Sequence, residues 1–180
     1  EPLFALYGNV SGLDENILAS SIDFGVERTL DQDPTFAFRI ILDIALKALS
    51  PAINDPTTAV LAIDQLHRLL RSVGKRDLRT DNITDESGKL RVIFRTPNWE
   101  DFVNLACTEL RRYGADSIQV VRRLRAMIEN LIRTLPEDRH AALQGQLALL
   151  DHVIKGIYSL PEELALARAT DSQGLGGTPI

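Results

Sequence analysis

Cysteine is almost absent from this chain, and its scarcity excludes two kinds of site. The 180 residues contain one cysteine, Cys107. No disulfide can therefore form within the chain, and no cage of cysteine ligands can hold a metal. This usage is typical of a protein in a reducing compartment.

Positive charge is also in deficit. Lys and Arg number 20 against 25 Asp and Glu, so the net charge is -5 at pH 7. Proteins that bind nucleic acids neutralise phosphates with clustered Lys and Arg. Aromatic residues make up only 6% of the chain, which leaves little for base stacking. We therefore expect no nucleic-acid partner.

Long uncharged apolar runs are missing as well. A bilayer-spanning helix needs about 18–20 consecutive apolar residues. The best candidate, residues 36–49, is interrupted by Arg39, Asp43 and Lys47. The chain starts at Glu1 without a methionine and shows no signal peptide, so we expect a soluble fragment of a longer protein.

Familiar catalytic patterns do not occur either. The sequence has no G-x-S-x-G, no P-loop and no H-x-x-x-H pair. Four aspartates lie between residues 31 and 55, but Asp33 and Asp55 precede prolines as helix caps, and no D-x-D-x-D-G loop is present. We predict no catalytic residue, no metal and no cofactor.

What the chain does contain is a series of helix signals. Asp33-Pro34 and Asp55-Pro56 each combine an N-cap with a proline at the first helical position. Alternating residues 90–94 predict a strand that pairs with the first ten residues. The prediction is a mainly α bundle of six to seven helices with a small two-stranded β element. It forms one soluble domain, residues 1–170, before a flexible tail, residues 171–180. Helices are expected at residues 14–29, 34–49, 56–73, 99–113, 118–135, 136–158 and 161–169.

The second of these helices suggests a candidate site. Eleven of the fourteen residues 36–49 are apolar, so we expect this helix to lie at the centre of the bundle. Its charged residues fall at i, i+4 and i+8 and form one stripe. The stripe is either a salt-bridged seam that reaches water or part of a polar pocket with the neighbouring turns. The pocket interpretation gives a ligand-binding cluster of Arg28, Asp31, Gln32, Arg39, Asp43, Asn54 and Asp55.

One basic segment stands out from the acidic whole. Residues 111–133 contain six arginines against Asp116 and Glu129, a net charge of about +4. A solvated helical face is one interpretation. The other is attraction to an anionic lipid surface, which contributes about 1 kcal/mol per basic residue. The residues of this second interpretation are Arg111, Arg112, Arg122, Arg123 and Arg125.

Two stretches resemble a known family. Residues 28–59, RTLDQDPTFAFRIILDIALKALSPAINDPTTA, resemble the signature of bacterial predicted membrane proteins grouped as domain of unknown function twenty-two fifty-four. The stretch WEDFVNLACTELRRYGADSIQVVRRL is similar to that family's downstream region. Family members carry several transmembrane helices before this region. The resemblance therefore implies the C-terminal part of an integral protein of the bacterial cell membrane, with no established activity, cofactor or catalytic residue.

Together these observations favour a non-enzymatic soluble domain that acts in assembly, ligand sensing or gating. We expect it on the cytoplasmic side, as part of a homo-oligomer, and joined to the membrane through transmembrane helices that this chain lacks. The alternative is an enzyme or metal-dependent site built on the cluster around Arg28, Asp31, Asp43, Asn54 and Asp55.

Overall fold

The structure is a computed structural model that describes residues 5–6, 12, 14–21, 25, 27–30, 33–78 and 81–176. Within these residues it contains seven α-helices, one 3-10 turn and one two-stranded antiparallel sheet. The predicted mainly α bundle with a small β element is confirmed.

The elements follow one another along the chain with short connections. They are α1 (Glu15–Ser20), α2 (Pro34–Ala48), α3 (Pro56–Gly74), β1 (Asn82–Thr84), β2 (Leu90–Ile93), α4 (Trp99–Tyr113), α5 (Ile118–Thr134), the 3-10 turn Glu137–Arg139, α6 (His140–Ile157) and α7 (Pro161–Arg168).

Local capping chemistry explains where the longer helices begin. The Asp33 side chain accepts a hydrogen bond from the Thr35 amide at the start of α2, and the Asp55 side chain accepts one from the Thr58 amide at the start of α3. Asn98 and Asp101 form a reciprocal capping box at α4. These starts agree with the sequence prediction because each depends on neighbouring residues only.

Two helix boundaries differ from the prediction. α1 ends at Ser20 instead of residues 27–29, and none of the residues of α1 itself is buried, so packing contributes little to this short helix. The helix expected from Pro136 begins with the 3-10 turn, and α6 itself starts at His140.

The small sheet pairs differently from the prediction. β2 pairs with β1 and forms a hairpin, whereas the first ten residues, apart from residues 5 and 6, lie outside the described part of the chain. The Asp85 carboxylate closes the turn by accepting hydrogen bonds from the amides of Ser87 and Lys89. The sequence around β1 is polar, and this strand was not predicted. Every residue of both strands is exposed, so no buried face marks β1 in the sequence.

The centre of the bundle is α5, not α2. α5 contacts α3, α4, α6 and α7, and nine of its residues are buried. α2 buries one face against α3 and α4 and leaves Ile40 and Ile44 exposed at 40% and 50%. The expected central position of α2 is therefore wrong: an apolar composition all round a helix does not say which sides are covered.

We expect the buried face of α2 to contribute to stability far more than its outer face. Phe38 is 1% exposed, and its ring centroid lies 5.2 Å from that of Phe102. Phe38→Ala should lower the free energy of unfolding by about 3–5 kcal/mol. Ile44→Ala, on the outer face, should change it by about 0.5 kcal/mol or less. Urea denaturation measures both, and equal losses would contradict this arrangement of α2.

Candidate functional site

The described members of the cluster predicted around α2 form separate contacts, not one connected site. Arg39 forms ion pairs of 2.7 Å with Asp43 and with Glu109 of α4. Arg28 lies 3.5 Å from Asp33 and is 66% exposed. These are separate pairs, which agrees with the interpretation of a salt-bridged seam that reaches water.

The remaining members of this cluster lie at the α2–α3 bend. Asn54 is exposed and has a φ of +46°. The Asp55 carboxylate accepts hydrogen bonds from the Thr58 hydroxyl at 2.5 Å and from the Thr58 amide at 3.0 Å, and these bonds lower the pKa of Asp55. Among the described residues, no hydrogen bond or ion pair joins this bend to Arg39 or Asp43. Asp31 and Gln32 lie outside the described part of the chain.

The arginines of residues 111–125 do not share an outer face. Arg122 is 2% exposed and Arg125 is 6% exposed, and Arg125 pairs with Asp151 and Glu129. Arg111 donates a hydrogen bond to Gln146. Arg112 alone of the five is exposed without a partner in the described chain. The exposed basic face expected from the sequence does not form. The sequence shows where the arginines are, but it does not show which hydrogen-bond acceptors pack against them.

Arg122 and Arg123 instead hold residues 169–176, which we call the clasp. Arg122 donates to the carbonyl oxygens of Ala169 at 3.1 Å and Gly176 at 3.3 Å. Arg123 donates to the carbonyl oxygens of Asp171 at 3.0 Å and Ser172 at 2.6 Å. The clasp is therefore packed on α5.

A carboxylate inside the clasp fixes its shape. Asp171 accepts hydrogen bonds from the amides of Gln173, Gly174 and Gly176 at 3.1, 2.8 and 2.6 Å. Partial burial acts to raise the pKa of Asp171, but these bonds and the Arg122 charge outweigh it and lower the pKa. A flexible tail was expected from composition. Its first six residues instead have their own hydrogen-bond network.

Next to the clasp, α3 and α5 border a pocket of about 350 Å³, which we call the basic pocket. The residues that line it come from α3, α5 and the clasp. They are Asp64, His67, Arg68, Arg71, Arg123, Ala126, Asn130, Arg133, Thr170 and Ser172.

The pocket follows from two helices that run side by side in the same direction. Asp64 Oδ1 of α3 lies 2.5 Å from Arg123 of α5. Seven residues later on each helix, Arg71 Nη2 donates to Asn130 Oδ1 at 2.7 Å. Because both helices rise by about 1.5 Å per residue, the polar residues of α3 stay beside those of α5 along this length. The groove between these faces forms the pocket.

The pocket carries an excess of positive charge. Four arginines face one carboxylate, which leaves +3 when His67 is neutral. The charges of Asp64 and Arg123 cancel each other. Arg68 and Arg133 form no hydrogen bond or ion pair with any described residue. Arg133 also lies in the last turn of α5, where a positive charge favours the helix dipole, but Arg68 lies mid-helix and has no such role.

Deeper in the pocket, His67 and Arg71 share a polar contact. His67 Nε2 lies 3.0 Å from Asn130 Oδ1 and 3.1 Å from Arg71 Nη2. Burial, followed by the nearby Arg71 charge, lowers the pKa of His67 below its ordinary value, so the imidazole is neutral at pH 7. The buried Nε of Arg71 donates to no acceptor in the described chain. The pocket thus presents donors without enough acceptors, an arrangement suited to an anion.

The sequence did not indicate this pocket. Asp64, His67, Arg68 and Arg71 are spaced i, i+3, i+4 and i+7, so they share one polar face of α3, but solvated polar faces have the same spacing. The spacing alone does not show that this face meets the polar face of α5.

Comparison with known proteins identifies the family. Residues 1–130 match the family described as "Predicted membrane protein (DUF2254)". The chain belongs to this family. Similar curated proteins are the uncharacterized proteins Mb1321c of Mycobacterium bovis and MT1328 and Rv1290c of Mycobacterium tuberculosis. Each is 31% identical over 163 residues, which are 87% of this chain and 31% of the relative.

The DUF2254 chain therefore spans about a third of the length of these relatives. No solved structure matches it. In the described part of the chain, every helix is too short or too polar to cross a membrane.

The lowered pKa of His67 predicts a pH-dependent stability. The folded state takes up a proton on His67 less readily than the unfolded state, whose value is about 6.5. The His67 contribution is therefore complete above pH 6.5 and is lost as the pH falls towards the lower folded value. His67→Gln should remove this slope, and His152→Gln, at an exposed site, should retain it. Urea denaturation between about pH 5 and pH 8 measures the effect, and identical slopes for both variants would refute it.

The clasp should depend on its internal carboxylate. Asp171→Ala leaves the amides of Gly174 and Gly176 without their acceptor, so we expect a loss of about 1–3 kcal/mol in stability. Amide hydrogen exchange at both glycines should accelerate. Asp138→Ala, at a carboxylate that is 65% exposed, is the matched control. Unchanged protection in Asp171→Ala would show that the clasp does not need this network.

Proposed function

We propose that this chain is the ligand-sensing part of a DUF2254 membrane protein and that it binds a small anion in the basic pocket. The supporting observation is the net charge of +3 on a pocket in which Arg68 and Arg133 have no partner in the described chain. An uncompensated cluster of arginines raises the local concentration of anions and attracts them to the site.

Its size also favours a ligand. A cavity of about 350 Å³ lies at the lower end of the range for small-molecule sites, which is about 300–1,000 Å³. The residues that line it come from α3, α5 and the clasp. An anion that contacts all three binds best when the clasp is in place, and this preference lets binding shift the conformation of the clasp.

The side chains of the pocket favour binding over catalysis. Asp64, the one carboxylate among the described lining residues, is paired with Arg123. No hydrogen bond joins His67 to the hydroxyl of Thr170 or Ser172 within the described chain, so neither hydroxyl has a base to activate it. These contacts support a binding role, not hydroxyl-based catalysis, for the basic pocket.

Other parts of the hypothesis stay predictions. They are the homo-oligomer, the cytoplasmic side, the solubility of this domain and its attachment through transmembrane helices outside this chain. The membrane assignment of the family supports the last of these.

Inorganic phosphate should stabilise the protein more than chloride at equal ionic strength, because a dianion interacts more strongly with the basic pocket. A ligand at 100 times its Kd adds about 2.7 kcal/mol to the free energy of unfolding. Arg71→Gln should weaken phosphate binding about tenfold, as expected for the loss of one charge-assisted hydrogen bond. Titration calorimetry and thermal unfolding measure these effects.

The matched control is Arg112→Gln, which removes an exposed arginine of α4 that has no partner among the described residues, and it should leave phosphate binding unchanged. Equal losses in the two variants would show that general surface charge attracts the anion. If neither phosphate nor any other anion tested stabilises the chain, the proposed function is wrong.

A further inference from the structure

We infer that the ligand of the basic pocket carries two phosphoryl groups, as a diphosphate or a bisphosphate does. The inference rests on the proposed function and specifies the chemical class of its ligand. Charge, the placement of the lining residues and size each support it independently.

The charge balance favours a multivalent anion. Asp64 lies 2.5 Å from Arg123 and neutralises it, so Arg68, Arg71 and Arg133 supply the excess of +3. One carboxylate would offset a third of this charge. A phosphoryl group carries about -1.5 to -2 near pH 7, so two of them match the pocket.

The placement of the lining residues favours phosphoryl oxygens over a carboxylate. Arg68 and Arg71 line the pocket from α3, Arg133 lines it from α5, and Thr170 and Ser172 line it from the clasp. A carboxylate is planar and pairs best with one guanidinium edge. A phosphoryl group presents three oxygens in different directions and can accept from all three walls.

The size and depth of the pocket indicate two binding levels. Its volume of about 350 Å³ would hold about ten water molecules, more room than one phosphate fills. Arg71 is half-buried and bonded to Asn130, whereas Arg68 and Arg133 are exposed. One phosphoryl group would contact Arg71 at the inner level, and the second would contact Arg68 and Arg133 at the mouth.

Titration calorimetry with three simple anions tests this inference at one pH and one ionic strength. The probes are inorganic diphosphate, inorganic phosphate and tricarballylate, which carries three carboxylates. We expect diphosphate to bind at least about tenfold more tightly than either of the others.

Two variants locate the second phosphoryl group. Arg68→Gln and Arg133→Gln should each weaken diphosphate binding about tenfold but phosphate binding by less than about threefold, because phosphate needs only the inner level. Both residues are exposed and unpaired in the described chain, so both variants should fold. Arg112→Gln should change neither affinity.

The possible outcomes separate the two proposals. If no probe binds, the proposed function fails, and this inference fails with it. If tricarballylate binds as tightly as diphosphate, an anion site remains and the phosphoryl class is overturned. If diphosphate binds no more tightly than phosphate, the inference of a second phosphoryl group is wrong. It is also wrong if Arg68→Gln and Arg133→Gln weaken diphosphate binding and phosphate binding equally.

Discussion

The structure depends on the burial of Arg122 in the central helix. A guanidinium that is 2% exposed has lost its water and must find acceptors inside the protein. Its acceptors are the carbonyl oxygens of Ala169 and Gly176. The end of the described chain must therefore fold back on α5, and residues that look like a loose tail become part of the packed domain.

The basic pocket is a consequence of this constraint. Arg123, next to Arg122, holds two further carbonyl oxygens of the clasp and also pairs with Asp64 of α3. One guanidinium thus joins three parts of the chain. The clasp closes a third side of the groove between α3 and α5, which would otherwise be open.

Local chemistry in the sequence predicted much of the fold. Asp33, Asp55, Asn98 and Ser117 each cap a helix within a few residues of themselves, and these helix starts are where the sequence places them. The family could also be recognised from the sequence, because residues 28–59 resemble a family signature. Such signals need no knowledge of the tertiary structure.

The features that the sequence did not predict depend on contacts between residues far apart in the chain. Arg122 meets acceptors 47 and 54 residues away, and Arg123 meets Asp64 at a separation of 59 residues. Spacing along one helix cannot reveal such partners. The arginines of α5 therefore resembled an outer face, and the polar face of α3 resembled a solvated one. The cluster around Asp43 and Asp55 shows the converse: its described members lie close in sequence, but each has its own local partner.

Under the proposed function, the clasp connects the basic pocket to α7. The bonds from Arg122 and Arg123 that hold the clasp come from charged groups and contribute about 1.5–3 kcal/mol each, so the clasp favours the closed position without a ligand. A ligand with micromolar affinity has about 8 kcal/mol of binding free energy. If part of that energy comes from Thr170 and Ser172, which line the basic pocket, binding favours the closed clasp by the same amount. α7 leads directly into the clasp and packs on α5, so under the proposed function ligand binding would also stabilise the position of α7.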